Sequence, residues 1–143
     1  MEATENHAGL DGLRVMVVDD SKTIRRTADS ILSKAGCEVE SAIDGFDALA
    51  RIGAFDPDVV IIDILMPRLD GYQTTALIKN NDRFGETPII LLSSKDSIFD
   101  KARGRIVGAS DYLTKPFNSD EILAAVERFA EGRPVTDEGA VAG

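Results

Sequence analysis

The chain is poor in the residues that carry most enzyme chemistry. It holds one histidine and one cysteine among its 143 residues. His7 sits in the polar stretch "MEATENHAGLDG", so a Ser-His-Asp triad has no usable base. No HxxxH, CxxC, GxGxxG or P-loop pattern occurs. Cys37 has no partner for an internal disulfide, which suits a reducing cytosol. Its place after Gly36, at a strand entry, marks it as a small buried hydrophobe. The N-terminus lacks the basic and apolar regions of a signal peptide, and the apolar runs are far too short to span a bilayer. A cytoplasmic location is expected. No internal repeat is visible.

Acid, by contrast, is in excess. The net charge of -9 repels phosphate backbones and anionic lipid, so neither nucleic-acid binding nor membrane insertion is expected. With 43% hydrophobic and 29% charged residues, the composition is that of one ordinary globular domain. Strand and helix patterns alternate five times. Strands are expected at 14–19, 38–43, 58–63, 88–92 and 109–114, and helices at 21–35, 45–55, 71–81, 96–107 and 119–131. The second strand is the most polar and reads as an edge. Inner helix faces are expected at Ile24, Ala28, Ile31 and Leu32, at Ile98, Ala102 and Ile106, and at Ile122, Leu123, Val126 and Phe129. Such alternation implies an α/β fold, a parallel sheet with helices on both faces. Residues 1–12 and 132–143 read as disordered tails around a domain at 13–131.

Four apolar runs end abruptly in a polar residue. "RVMVV" runs into Asp19-Asp20, "DVVII" into Asp63, "IILL" into Ser93, and "SDYLT" into Lys115-Pro116. In an open α/β sheet, ligands bind at the carboxyl ends of the strands. Three carboxylates, a hydroxyl and an ammonium can therefore meet at one rim. The carboxylates would repel one another without a counter-ion, and Mg²⁺ suits such an oxygen-only set. Each residue has a plainer alternative. Asp19, Asp20 or Ser21 could cap the next helix, as could Ser93 or Ser94. Lys115 could be an ordinary exposed lysine, although a cis bond to Pro116 could aim it at the acids. A carboxylate facing a phosphorylated donor over Mg²⁺ can act as nucleophile and form an acyl phosphate.

These residues resemble the receiver domain of two-component response regulators, over about residues 13–131. The motifs are Asp19-Asp20, "DILMPRLDG" with Asp63, Ser93, and "KPF" at Lys115. The resemblance implies a doubly wound, flavodoxin-like five-stranded sheet in the order 2-1-3-4-5. It implies that Asp63 accepts a phosphoryl group from a sensor histidine kinase. Asp20 would bind Mg²⁺ directly, Asp19 mainly through water, and the Leu65 backbone carbonyl would be a further ligand. Ser93 and Lys115 would hold the phosphoryl oxygens. Tyr112 would be the aromatic switch, unless it is only a half-buried strand residue. An effector protein would dock on the fourth helix, fifth strand and fifth helix, where Lys101 and Arg105 could flank Tyr112. "AIDGFDAL", "RLDGYQTTALIKNN" and "SSKDSIFDKARGRIVGASDYLTKPF" resemble stand-alone regulators of type IV pilus twitching motility, within a chemotaxis-like system.

The expectation is a single-domain switch, monomeric or weakly dimeric, that catalyses only its own phosphorylation and dephosphorylation. A phosphorelay intermediate donating to a histidine-containing carrier would use the same Asp63. A small Mg²⁺-dependent phosphohydrolase is a third reading. It would want a second Asp two residues after the nucleophile, where Leu65 stands. Leu65 and Lys95 lie two residues after Asp63 and Ser93, near the path of attacking water. An apolar Leu65 gives that water no hydrogen bond, so a phospho-state lasting minutes is expected.

Overall fold

In the computed structural model, residues 9–94 and 98–130 are described. Their order is β1 (Arg14–Val18), α1 (Lys22–Lys34), β2 (Glu38–Ala42), α2 (Gly45–Phe55), β3 (Val59–Asp63), α3 (Gly71–Lys79), β4 (Ile89–Ser93), α4 (Ile98–Val107), β5 (Asp111–Thr114) and α5 (Ser119–Ala130). All ten expected elements are present, with ends that shift by up to two residues. The five strands are parallel and ordered β2-β1-β3-β4-β5, the flavodoxin-like arrangement that the resemblance implied.

Side-chain alternation along the strands divides the core. Val15, Val17, Val59, Ile61, Ile90 and Leu92 face α1 and α5. Met16, Val18, Val60, Ile62, Ile89 and Leu91 face the opposite layer, with Ala48, Ile52 and Ile78. Central strands buried on both faces must be apolar along their length, and β3 and β4 are so until their last residues, Asp63 and Ser93. The edge strand β2 is half-buried and carries Glu38 and Glu40. Cys37 is buried in the first cluster, as its sequence setting suggested.

Local chemistry sets the helix starts. Ser21 caps α1, accepting from the Ile24 N–H at 3.3 Å. Asp44 caps α2 by accepting from the Asp47 N–H. Asp70 and Gln73 form a reciprocal capping box on α3. Among the described residues, no helix is long and apolar enough to cross a membrane.

Two expectations need correction. The folded part begins before residue 13. Leu10 is fully buried in the α1/α5 layer, and Gly12 N–H donates to the Gly36 carbonyl at 2.8 Å. One apolar residue inside a polar stretch carries no periodic signal, so its burial was not readable from the sequence. The remaining tail residues, 1–8 and 131–143, lie outside the described set, as do His7 and Lys95. In α4, Ile106 is 83% exposed rather than part of an inner stripe. Gly104 is buried in its stead and faces Leu91, where an added Cβ would come within 2.9 Å of the Leu91 side chain. A small residue that lets the helix approach the sheet closely outranked apolar spacing. The side chain of Ile98 lies outside the described residues.

Candidate phospho-acceptor site

The site forms where the sheet order reverses, between β1 and β3. Val18 pairs with Ile62, so the next residues, Asp19 and Asp63, emerge side by side from neighbouring strands. Both are almost wholly buried, at 0% and 4% exposure, while Asp20 is exposed. Ligand oxygens of Asp19, Asp20 and Asp63 lie within 4.8 Å of one another. Lys115 reaches across from the end of β5, with Nζ 3.3 Å from Asp19 Oδ2 and 3.2 Å from Asp63 Oδ1. Its backbone N–H donates to the Ser93 carbonyl at 2.6 Å, and the Lys115–Pro116 bond is cis.

Asp19 is held from several sides. Its Oδ1 accepts from the Ser21 N–H at 2.8 Å, so it supports the start of α1 while Ser21 supplies the cap. Arg25 donates to its backbone carbonyl at 2.7 Å. A residue fixed at both oxygens and at its carbonyl is a rigid wall for the site. Asp63 is positioned by the close packing of β3 against α3. A Cβ at Gly71 would lie 2.4 Å from the Asp63 carbonyl oxygen, so the "DG" of the loop needs its glycine.

Burial and the neighbouring Asp19 charge push the Asp63 carboxyl up to about 6, against the pull of Lys115 and of the Leu65 N–H. Burial disfavours the Lys115 charge, but Asp19 and Asp63 outweigh it and raise the ammonium above its usual range. One cation thus serves two buried carboxylates, with a third nearby. The set is hard, oxygen-only and still acidic, which fits a divalent cation such as Mg²⁺. The Leu65 side chain is 70% exposed at the mouth of the site.

Ser93 ends β4 and is buried, in register with Thr114, the residue of β5 just before Lys115. Its hydroxyl lies 3.4 Å from Asp100 Oδ2 on α4. Tyr112 is half-buried, its hydroxyl also 3.4 Å from Asp100 Oδ2. Lys101 Nζ stands 5.6 Å over the Tyr112 ring, and both residues line a groove of about 220 Å³ with Arg105, Gly104 and Leu91. The suggestion that Lys101 and Arg105 flank Tyr112 therefore has a geometric basis.

Sequence reasoning missed Asp100 and Tyr72. Tyr72 on α3 also donates to Asp100, with 3.2 Å to Oδ1. An acid in the first turn of a helix is so ordinary that nothing marked Asp100 out. The Arg68 guanidinium was missed too. It bonds Asp44 at 2.7 Å and stacks over Phe46, tying the β3–α3 loop to α2.

The sheet order, the acidic rim and the lysine define a receiver module. The family comparison agrees: residues 15–127 match the response regulator receiver domain, and the chain belongs to that family. It is 65% identical over 117 residues to protein PilG of Pseudomonas aeruginosa, covering 82% of this chain and 87% of that one. It is 38% identical over 128 residues to the response regulator MprA of Mycolicibacterium vanbaalenii, covering 90% of this chain but only 54% of that longer protein. Among solved structures, chemotaxis protein CheY4 of Vibrio cholerae superposes with a TM-score of 0.80 at 36% identity, covering 82% of this chain and 98% of its own. The beryllofluoride-activated receiver domain of DrrB gives a TM-score of 0.75 at 36% identity, covering 84% and 98%.

Proposed function

We propose that the protein is a phosphorylation-driven signalling switch in which Asp63 accepts a phosphoryl group from a phosphohistidine on a sensor kinase. The observation that carries this reading is the placement of Asp63. It is a buried carboxylate, walled by Asp19 and Asp20 and touched by Lys115. A carboxylate oxygen of Asp63 forms the new O–P bond as the N–P bond of the donor breaks, and the donor imidazole keeps that electron pair. Lys115 stays protonated through the step and pairs with a phosphoryl oxygen as a point charge. Asp19, Asp20, Asp63 and the Leu65 carbonyl are the groups that would hold Mg²⁺. Bound there, the ion would neutralise charge on the carboxylates and the incoming phosphoryl oxygens. Ser93 donates to a phosphoryl oxygen in the product and thereby senses it. Tyr112 carries that change to the face of α4, β5 and α5, where an effector protein docks beside Lys101 and Arg105.

The likeness to PilG, together with the sequence motifs, supports a place in type IV pilus twitching motility within a chemotaxis-like system. The near-complete coverage of CheY4, named as a chemotaxis protein, supports the chemotaxis-like part of that reading. Output then comes from protein–protein contact.

The test is direct. Incubation with acetyl phosphate and Mg²⁺ should add about 80 Da, the mass of one phosphoryl group. The gain should vanish in Asp63→Asn and after EDTA treatment. A wild-type protein that stays unmodified would overturn the reading.

A further inference from the structure

Three hydroxyls converge on one carboxylate away from the acidic cluster. Asp100, in the first turn of α4, faces Ser93 Oγ of β4 at 3.4 Å, Tyr112 Oη of β5 at 3.4 Å and Tyr72 Oη of α3 at 3.2 Å. Tyr72 also reaches the Asp100 backbone carbonyl at 3.3 Å. Each tyrosine ring is backed by a cation of the same helix. Arg103 stands 4.4 Å over Tyr72, and Lys101 stands 5.6 Å over Tyr112. Three core elements thus meet at one side chain of α4.

Proton counting gives this node a role. A serine hydroxyl has one hydrogen to donate, and an ionised carboxylate can only accept. While Ser93 donates to Asp100, it cannot donate to a phosphoryl oxygen on Asp63. Asp100 and the phosphoryl group compete for the same proton. The contacts are longer than the 2.5–3.0 Å of strong O–H···O bonds, so they are exchanged at little cost. A cavity of about 380 Å³, lined by Ser93, Asp100, Tyr72 and Leu65, leaves room for the hydroxyl to turn. Because Ser93 and Tyr112 share Oδ2, departure of Ser93 removes a competitor of Tyr112 for that oxygen.

We infer that Asp100 is a positioning residue that withholds the Ser93 hydroxyl from the acceptor site until a phosphoryl group outcompetes it, and that passes this exchange to Tyr112. The inference rests on Asp63 being the phospho-acceptor. It assigns the resting state a specific restraint, so removing Asp100 favours the phosphorylated arrangement by linkage.

Beryllofluoride with MgCl₂ serves as the probe for the phosphorylated arrangement. Asp100→Ala should bind it roughly threefold to tenfold more tightly than wild type, the worth of one modest hydrogen bond. Uptake of acetyl phosphate should quicken by a similar factor. Asp100→Asn keeps the shape with a weaker acceptor and should fall between, which also covers a poorly folding alanine variant. Tyr72→Phe leaves the Ser93–Asp100 contact in place and should match wild type. On a Ser93→Ala background, Asp100→Ala should bring no gain, because the competed proton is gone. A merely structural role would change melting temperature without this dependence on Ser93. In wild type the ring signal of ¹³C-labelled Tyr112 should move on beryllofluoride binding, and in Asp100→Ala it should stay. Unchanged affinity in the Asp100 variants, or an equal gain without Ser93, overturns the inference while leaving Asp63 as acceptor. A wild type that takes up neither beryllofluoride nor phosphate overturns both.

Discussion

Asp63 meets two opposed demands. As the proposed nucleophile it must be ionised, yet burial and Asp19 push its carboxyl up to about 6. Its folded value thus lies above the ordinary 3.8, so the proton is held more tightly in the folded state. The stability this provides is present below about pH 4 and is lost as pH rises through about 6. Asp63→Asn removes the buried charge. In EDTA at pH 8 it should stabilise the fold by about 1–3 kcal/mol, and the gain should fade as pH drops toward 4. Thermal melts across that range check both size and slope. Leu65 sets a different quantity. Its apolar side chain at the mouth offers attacking water no partner, so Leu65→Asn should shorten the acyl-phosphate lifetime by roughly fivefold. Loss of the phosphoryl mass with time measures it. The charged members of this site were readable because each one interrupts an apolar run. Asp100 and Tyr72 were not, because their partners come from other elements and neither breaks a local pattern.

At the scale of elements, apolar runs and caps located all ten segments. The failures came where packing, not periodicity, chose the inner face. In α4 Gly104 is buried against the sheet, and Ile106 looks outward. The stretch before β1 behaves likewise. Leu10 plugs the layer between α1 and α5, held by the Gly12–Gly36 hydrogen bond. Leu10→Ala should cost about 2–4 kcal/mol in urea unfolding, the range for truncating a fully buried leucine. It should leave acetyl phosphate uptake intact, because the site stands at the opposite ends of the strands. The exposed Ile106 lies on α4 with Lys101 and Arg105, which line the groove beside Tyr112. The element carrying Asp100 thus also carries residues of the proposed effector face, so a change felt at Ser93 need travel only along one helix.

For the molecule as a whole, the sheet brings three carboxylates together, and the chain carries a net charge of -9. Mg²⁺ should therefore stabilise the fold. At a hundredfold excess over its Kd the gain should be about 2.7 kcal/mol, read as a rise in melting temperature of several degrees. Protons compete for Asp63, so this gain should shrink as pH falls below about 6. Calorimetric melts at pH 5 and pH 8, with and without MgCl₂, would show it. Asp63→Asn should lose most of the gain at both.

The order of residues was enough for the α/β alternation, the buried strands and the acids, hydroxyl and lysine at their tips. Hydrophobic period and strand ends are local properties, and a local reading recovers them. It could not show that Ser93 reaches Asp100, that Gly104 turns inward, or that Leu10 closes the core. Those depend on which side chains meet across the sheet and helix layers once strands 2-1-3-4-5 are in register. Contacts between distant segments are settled by the packing of the whole chain, and no short window of sequence contains them.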